Sequence, residues 1–280
     1  MKNMFFAQNK TGCPAWQMSQ NCWQYDNISL NLATLTGFTT GMQEIRFSAD
    51  GTKLYNTVNF RYRIYQFNLP TAWVLTGVTY TKFKDFQTQT GSKYIQGFDF
   101  SSGGTMLFFS TREISGGSSQ YSKIYKYNLS TAWDIGSATY DSNSAGIYGN
   151  FKESIQVRNS GTKLYTYGSN DKFIAQYSMS TAYDVTTIVY DNKKITGATG
   201  TFGDGIYMKS DGTRLYNSFN MKQYNLSTAW DVSTATTGGT FVYAGTGNAG
   251  IHFKSDGTRF FRALWSTTSG QDYVYQFSKK

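Results

Sequence analysis

One hairpin is written five times in this chain, and that limits what it can fold into more than any other feature. The strings are ADGTKLY (49–55), SGGTMLF (102–108), NSGTKLY (159–165), SDGTRLY (210–216) and SDGTRFF (255–261). In each, glycine supplies the positive φ of a tight turn, and in three an aspartate beside it caps the turn backbone. A second string alternates with the first: FNLPTAWVLTGVTY (67–80), YNLSTAWDIGSATY (127–140), YSMSTAYDVTTIVY (177–190) and YNLSTAWDVSTATT (224–237). Strict alternation means that one supersecondary unit has been copied and stacked, so neighbouring copies share a continuous core.

Residues 45–80 divide into four strands by alternation and turn chemistry. Strand A is 45–47, strand B 54–57, strand C 63–67 and strand D 76–80. Four antiparallel strands followed by a variable connection is the pattern of a propeller blade. The expected fold is therefore an all-β β-propeller, a single domain over 1–280. Because consecutive strands reverse direction, the A/B and C/D turns lie on one face of the disc and the B/C and D/A loops on the other. The repeated strings share the first face. The irregular loops share the second, where binding specificity is expected.

The blade count is less direct. The C-strand mark, Gln or Lys beside an aromatic, occurs six times, at 24–25, 66–67, 126–127, 176–177, 223–224 and 276–277. The A strand occurs five times. On this count residues 4–36 read as strands B, C and D of a degenerate first unit within 1–44, and 251–279 read as a unit that lacks D. Six blades is the preferred reading and five the alternative. In both, a strand exchanged between the termini closes the ring without leaving an unpaired edge.

Composition excludes several function classes. No 18-residue apolar stretch exists to cross a membrane, and the short apolar run before Gln8 does not make a secretory signal. The net charge of +9 comes from scattered Lys and Arg, which does not make a nucleic-acid surface. Cys13 and Cys22 either close a local disulfide or remain two thiols; the sequence leaves both open. No metal-ligand spacing, phosphate loop or Ser/His/Asp arrangement is present, so the chain reads as a non-enzyme without a cofactor or metal.

Three groups of residues are candidates for chemistry. Trp73, Trp133, Tyr183 and Trp230 of the second string either stack on sugars or pack beneath their own turns, and regular recurrence favours packing. Asp134, Asp184 and Asp231 after them read as turn caps. The middle A-strand positions Arg46, Asp99, Gln156, Tyr207 and His252 sit near the axis, where they either satisfy one another or bind a ligand. On the variable face, Arg61, Tyr62, Arg63, Phe86, Tyr94, Arg112, Tyr148 and Trp265 are the expected ligand-binding residues, because aromatics and Arg are the usual anchors of recognition surfaces.

SDGTRLY (210–216) and YNLSTAWDVSTAT (224–236) carry a resemblance. The unit is similar to the β-propeller repeats of bacteriophage virion proteins and bacterial surface proteins, and distantly to YVTN-type and WD-type propellers. It covers about 45–280; Gly-Gly at 103–104 departs from Asp-Gly. The resemblance implies a propeller in a virion or cell-surface setting and transfers no catalytic residue. The functional expectation is a non-catalytic module of a virion tail, baseplate or capsid. Its expected partners are other virion proteins and host surface polysaccharide, not nucleic acid or membrane. A purely structural virion subunit, a bacterial propeller lectin or surface protein, and a carbohydrate-active enzyme with two carboxylates converging at the loop face are the alternatives.

Overall fold

We describe the protein from a computed structural model. It describes residues 13–280, apart from 15, 20, 38–40, 59–60, 92, 115–119, 148–151, 169, 198–204, 219–220, 242–248 and 266–271. The strands form five four-stranded antiparallel sheets, the blades of a β-propeller. Blade 1 is β2 (Met42–Phe47), β3 (Lys53–Val58), β4 (Arg63–Asn68) and β5 (Thr79–Asp85). Blade 2 is β6 (Ile95–Phe100), β7 (Met106–Ile114), β8 (Gln120–Leu129) and β9 (Ala138–Ile147). Blade 3 is β10 (Ser154–Arg158), β11 (Lys163–Gly168), β12 (Phe173–Met179) and β13 (Ile188–Thr196). Blade 4 is β14 (Ile206–Met208), β15 (Arg214–Asn217), β16 (Lys222–Leu226) and β17 (Ala235–Thr240). Blade 5 joins β18 (Ile251–Phe253), β19 (Arg259–Leu264) and β20 (Tyr273–Lys279) to β1 (Trp23–Asn31) from the other end of the chain.

The blade number is thus five, not the preferred six. The segment read as strands B, C and D of a sixth unit supplies one strand. Gln24-Tyr25 belongs to a fourth strand, which pairs antiparallel with β20 from Trp23↔Lys279 to Asn31↔Tyr273. The expected exchange between termini is what closes the ring, and β20 gains a partner for an edge that would otherwise be unpaired. The fourth strands also run further than 76–80 implies, because the pairing shifts register between Gln66 and Phe67, and again at the corresponding places in blades 2, 3 and 4. A bulge there flips the alternation, which hides the second half of each outer strand from a period-two reading.

The N-terminal segment contributes more than a strand. Trp16 stands to blade 5 as Trp73, Trp133, Tyr183 and Trp230 stand to the others, so Pro14-Ala15-Trp16 is a fifth copy of the Thr-Ala-Trp string. Cys13 and Cys22 form a disulfide around it.

Hydrophobic cores lie between blades, not within them. One cluster joins Tyr55 and Ile64 of blade 1 to Phe98, Leu107 and Phe109 of blade 2. Another joins Trp16 and Trp23 to Tyr207 and Tyr216 of blade 4. Two repeated hydrogen bonds fix the angle between neighbours. The B-strand tyrosines Tyr55, Tyr165 and Tyr216 donate from their hydroxyls to the carbonyls of Trp133, Trp230 and Trp16 in the next blade. Between blades 5 and 1 the donor is Arg259, 2.8 Å from the Trp73 carbonyl. The C-strand glutamines do the same for backbone N–H groups. Gln66, Gln176, Gln223 and Gln276 accept from Ile135, Val232, Met18 and Leu75. This bond is why Gln recurs beside the C-strand aromatic. Blade 2 has Lys126 there, which pairs with Asp141 instead.

Candidate functional site

The repeated strings build one face of the disc. Each hairpin glycine has φ between 69° and 84°, and an aromatic ring lies where its Cβ would be. A Cβ on Gly51, Gly104 or Gly212 would come within 2.3 Å of Trp73, Trp133 or Trp230, one on Gly161 within 2.5 Å of Tyr183, and one on Gly257 within 2.6 Å of Trp16. The five aromatics are themselves left-handed, with φ from 63° to 68°. Trp73, Trp133, Tyr183 and Trp230 donate their backbone N–H to the glycine carbonyl at 2.8–2.9 Å. Asp134, Asp184 and Asp231 accept from the backbone two residues on, capping short 3₁₀ turns. Against the burial that pushes Asp134 and Asp231 up, hydrogen bonds from Lys82 to Asp134 and from Lys193 to Asp231, with the Thr186 hydroxyl at Asp184 and these backbone bonds, hold the three carboxyls below the usual range. The aromatics are packing groups, as recurrence favours, yet the geometry gives them a second use.

Four of the rings wall a cavity. Trp73, Trp133, Tyr183 and Trp230 surround an opening of about 560 Å³ on the axis, rimmed by serines including Ser210 and Ser255. Its size is that of a small-ligand site. The A strands form its floor with Arg46, Asp99, Arg158, Tyr207 and His252. The other end of the axis is pinched. A Cβ on Gly97 would meet Ser154 Cα at 2.6 Å, one on Gly205 the Cα of Gly250 at 2.6 Å, and one on Gly250 the Ile45 nitrogen at 2.4 Å. Glycine at these strand starts lets backbones approach, so the axial space tapers to nothing toward the irregular loops and opens on the repeated turns.

A charged network seals the floor. Arg46 is fully buried and saturated. It reaches Glu44 at 2.6 Å, Asp99 at 3.2 Å, the Ile45 carbonyl at 2.8 Å and, across the axis, the Ile155 carbonyl at 3.1 Å. Ser154 donates to the same glutamate. Asp99 also accepts from Arg158 and from the Val157 N–H. Burial pushes the Glu44 carboxyl up to about 7 against the pull of Arg46. Burial, with Arg46 and Arg158 nearby, holds His252 well below 6.5, so its imidazole is neutral at pH 7. Its Nδ1 is buried without a hydrogen-bond partner among the described residues. Burial also raises the Tyr207 phenol to about 12, keeping it a hydroxyl at neutral pH.

The eight loop-face residues expected to bind ligand meet different fates. Tyr62 and Tyr94 stack at 5.3 Å, with exposed Arg61 beside them and Arg112 donating its N–H to the Tyr94 carbonyl at 3.2 Å. Arg63 turns outward over Phe83 at 4.3 Å and pairs with Asp85 at 3.0 Å. Phe86 is not a surface residue. It is fully buried between blades 1 and 2, against Phe109 and Tyr127, because its strand end turns inward where the alternation has flipped. Trp265 is half-buried and packs on the core shared by blades 5 and 1. Tyr148 lies outside the described residues. The loop face thus gathers Arg61, Tyr62, Tyr94 and Arg112 into a small patch.

Sequence reasoning missed Arg158 as a floor residue, since it stands at the end of its A strand and not at the middle position. It also missed Trp16, for which Pro-Ala-Trp was the available signal. Among the described residues no group of three or more His, Cys, Asp or Glu could hold a metal ion, and no helix is long and apolar enough to cross a membrane. Among the described residues no catalytic arrangement is identified.

No family model and no curated protein matches the chain. Solved structures do. A luciferin-regenerating enzyme aligns over 90% of this chain and 95% of its own, at a TM-score of 0.51 and 12% identity. The fold is that of a β-propeller. A functionally unknown protein from Desulfotomaculum acetoxidans aligns over 79% of this chain, which spans 62% of that protein, at a TM-score of 0.48 and 12% identity. The propeller domain of Cps50 (Swd1) from Myceliophteria thermophila aligns over 85% of this chain and 83% of its own, with a TM-score of 0.47 and 12% identity. At these identities the likeness concerns fold alone.

Proposed function

We propose that this chain is a non-catalytic recognition propeller that takes the end of an extended ligand into the axial cavity on its repeated-turn face. One observation carries the reading: the axis is closed at the loop end and opens at the turn end into an aromatic-walled space of about 560 Å³. The resemblance of the repeat strings to virion and bacterial surface propellers supports a virion setting, in which the ligand is a host surface glycan. A second reading uses the stacked Tyr62–Tyr94 pair with Arg61 and Arg112 as the contact surface, toward glycan or a neighbouring virion subunit.

The test is binding to a panel of bacterial surface polysaccharides and intact cells, with four forms of the protein, the unaltered chain among them. Ser210→Trp and Ser255→Trp fill the mouth from exposed rim positions, whereas Arg61→Ala with Tyr62→Ala strips the loop patch. Loss of binding in the rim variants alone supports the cavity. Loss in the loop variant alone overturns it in favour of the loop face. No binding by the unaltered protein overturns both in favour of a structural subunit.

A further inference from the structure

The polar groups of the floor are not all used, and the unused ones have a common chemistry. Arg158 spends Nε on the Met208 carbonyl and Nη1 on Asp99 and the Val157 carbonyl; its Nη2 has no partner among the described residues. Its side chain is 17% exposed, so it is the one floor cation that faces the open space. Next to it, with the guanidinium carbon 5.9 Å from the ring centre, stands Tyr207, whose hydroxyl has no partner among the described residues. His252 packs edge-on to Tyr207 at 5.2 Å and stacks beneath Trp73 at 6.0 Å. It leaves Nδ1 unpaired, and a buried polar atom without a partner calls for an explanation. The Arg158 guanidinium, the Tyr207 hydroxyl and an unpaired ring nitrogen of His252 therefore converge on one side of the cavity.

The charge balance points the same way. Arg46 and Arg158 face Asp99 and a Glu44 carboxyl that is only partly ionised at neutral pH, so the floor carries a residual positive charge. The walls are flat rings, suited to the face of a six-membered ring. We infer that the cavity takes a six-membered ring carrying a carboxylate, with the carboxylate on Arg158 and Tyr207 and the ring between the wall aromatics. A uronic-acid residue and an aromatic acid share this chemistry. The inference rests on the cavity being the binding site.

Titration of tryptophan fluorescence with glucuronate, glucose and benzoate tests it. Trp73, Trp133 and Trp230 line the space and report occupancy. Glucuronate or benzoate is expected to bind saturably and glucose at least tenfold more weakly, since a charge-assisted bond to Arg is lost. Which acid binds tells sugar from aromatic. Tyr207→Phe, which removes only the hydroxyl, is expected to weaken the acid about tenfold and leave glucose unchanged; Arg158→Gln is expected to abolish the preference for the acid. Glucose binding as well as glucuronate overturns the carboxylate while leaving the cavity as the site. Small ligands that all fail while polysaccharide binding stays sensitive to Ser255→Trp also overturn the carboxylate but not the cavity. Failure of every ligand, polysaccharide included, removes the cavity as well.

Discussion

Gly212→Ala tests the packing argument most directly. The new Cβ would sit 2.2 Å from Trp230 Cδ2, so the ring must retreat by more than 1 Å to reach ordinary contact. It has little freedom to do so. Its N–H is bonded to the Gly212 carbonyl at 2.9 Å, its backbone is already left-handed, and its carbonyl accepts from the Tyr165 hydroxyl at 2.8 Å. Alanine at φ +73° costs about 1 kcal/mol by itself. Displacing half of a tryptophan's buried surface adds about 2–3 kcal/mol. The expected loss is about 3–4 kcal/mol, read from urea unfolding followed by circular dichroism. Gly91→Ala is the control: it has φ +59° and nothing within 4 Å of the new carbon, so only the backbone cost of about 1 kcal/mol applies. If the two variants unfold within 1 kcal/mol of each other, the rings are not seated on the glycines and the cavity walls are misplaced.

Two further outcomes are expected. Tyr165→Phe leaves the Trp230 carbonyl without its donor and should cost about 1–2 kcal/mol in the same unfolding assay; Phe108, the natural phenylalanine at this place in blade 2, stacks on Tyr183 without a hydroxyl, so the variant should keep its fold. Glu44 titrates near 7 when folded against 4.5 in the open chain. Between those values the folded state keeps a proton that the unfolded state releases, so this group's contribution to stability falls as pH rises through the window. His252, held well below 6.5, has the opposite sign and loses stability as pH falls under 6.5. Glu44→Gln should remove the first slope and leave the second. The urea midpoint at pH 8 relative to pH 5 should therefore be higher in the variant than in the unaltered protein, and an identical pH profile would refute the assignment.

The repeat, the four-strand unit and the two-faced disc were legible in the sequence because turn glycines and alternating strands act locally. So were the aspartate caps, whose backbone N–H donors lie two residues away. Tertiary structure decided what depends on distant pairing. That β1 joins β20 across the whole chain, that Trp16 completes the ring of aromatics, and that Phe86 turns inward all follow from partners far away in sequence. The same holds for which end of the axis is open. Loop irregularity marks one face, but Gly97, Gly205 and Gly250 close the axis on that side, and they read as ordinary loop glycines until neighbouring backbones are placed against them. Local chemistry fixes what each blade is. Only the packing of five blades around one axis sets where space is left for a ligand.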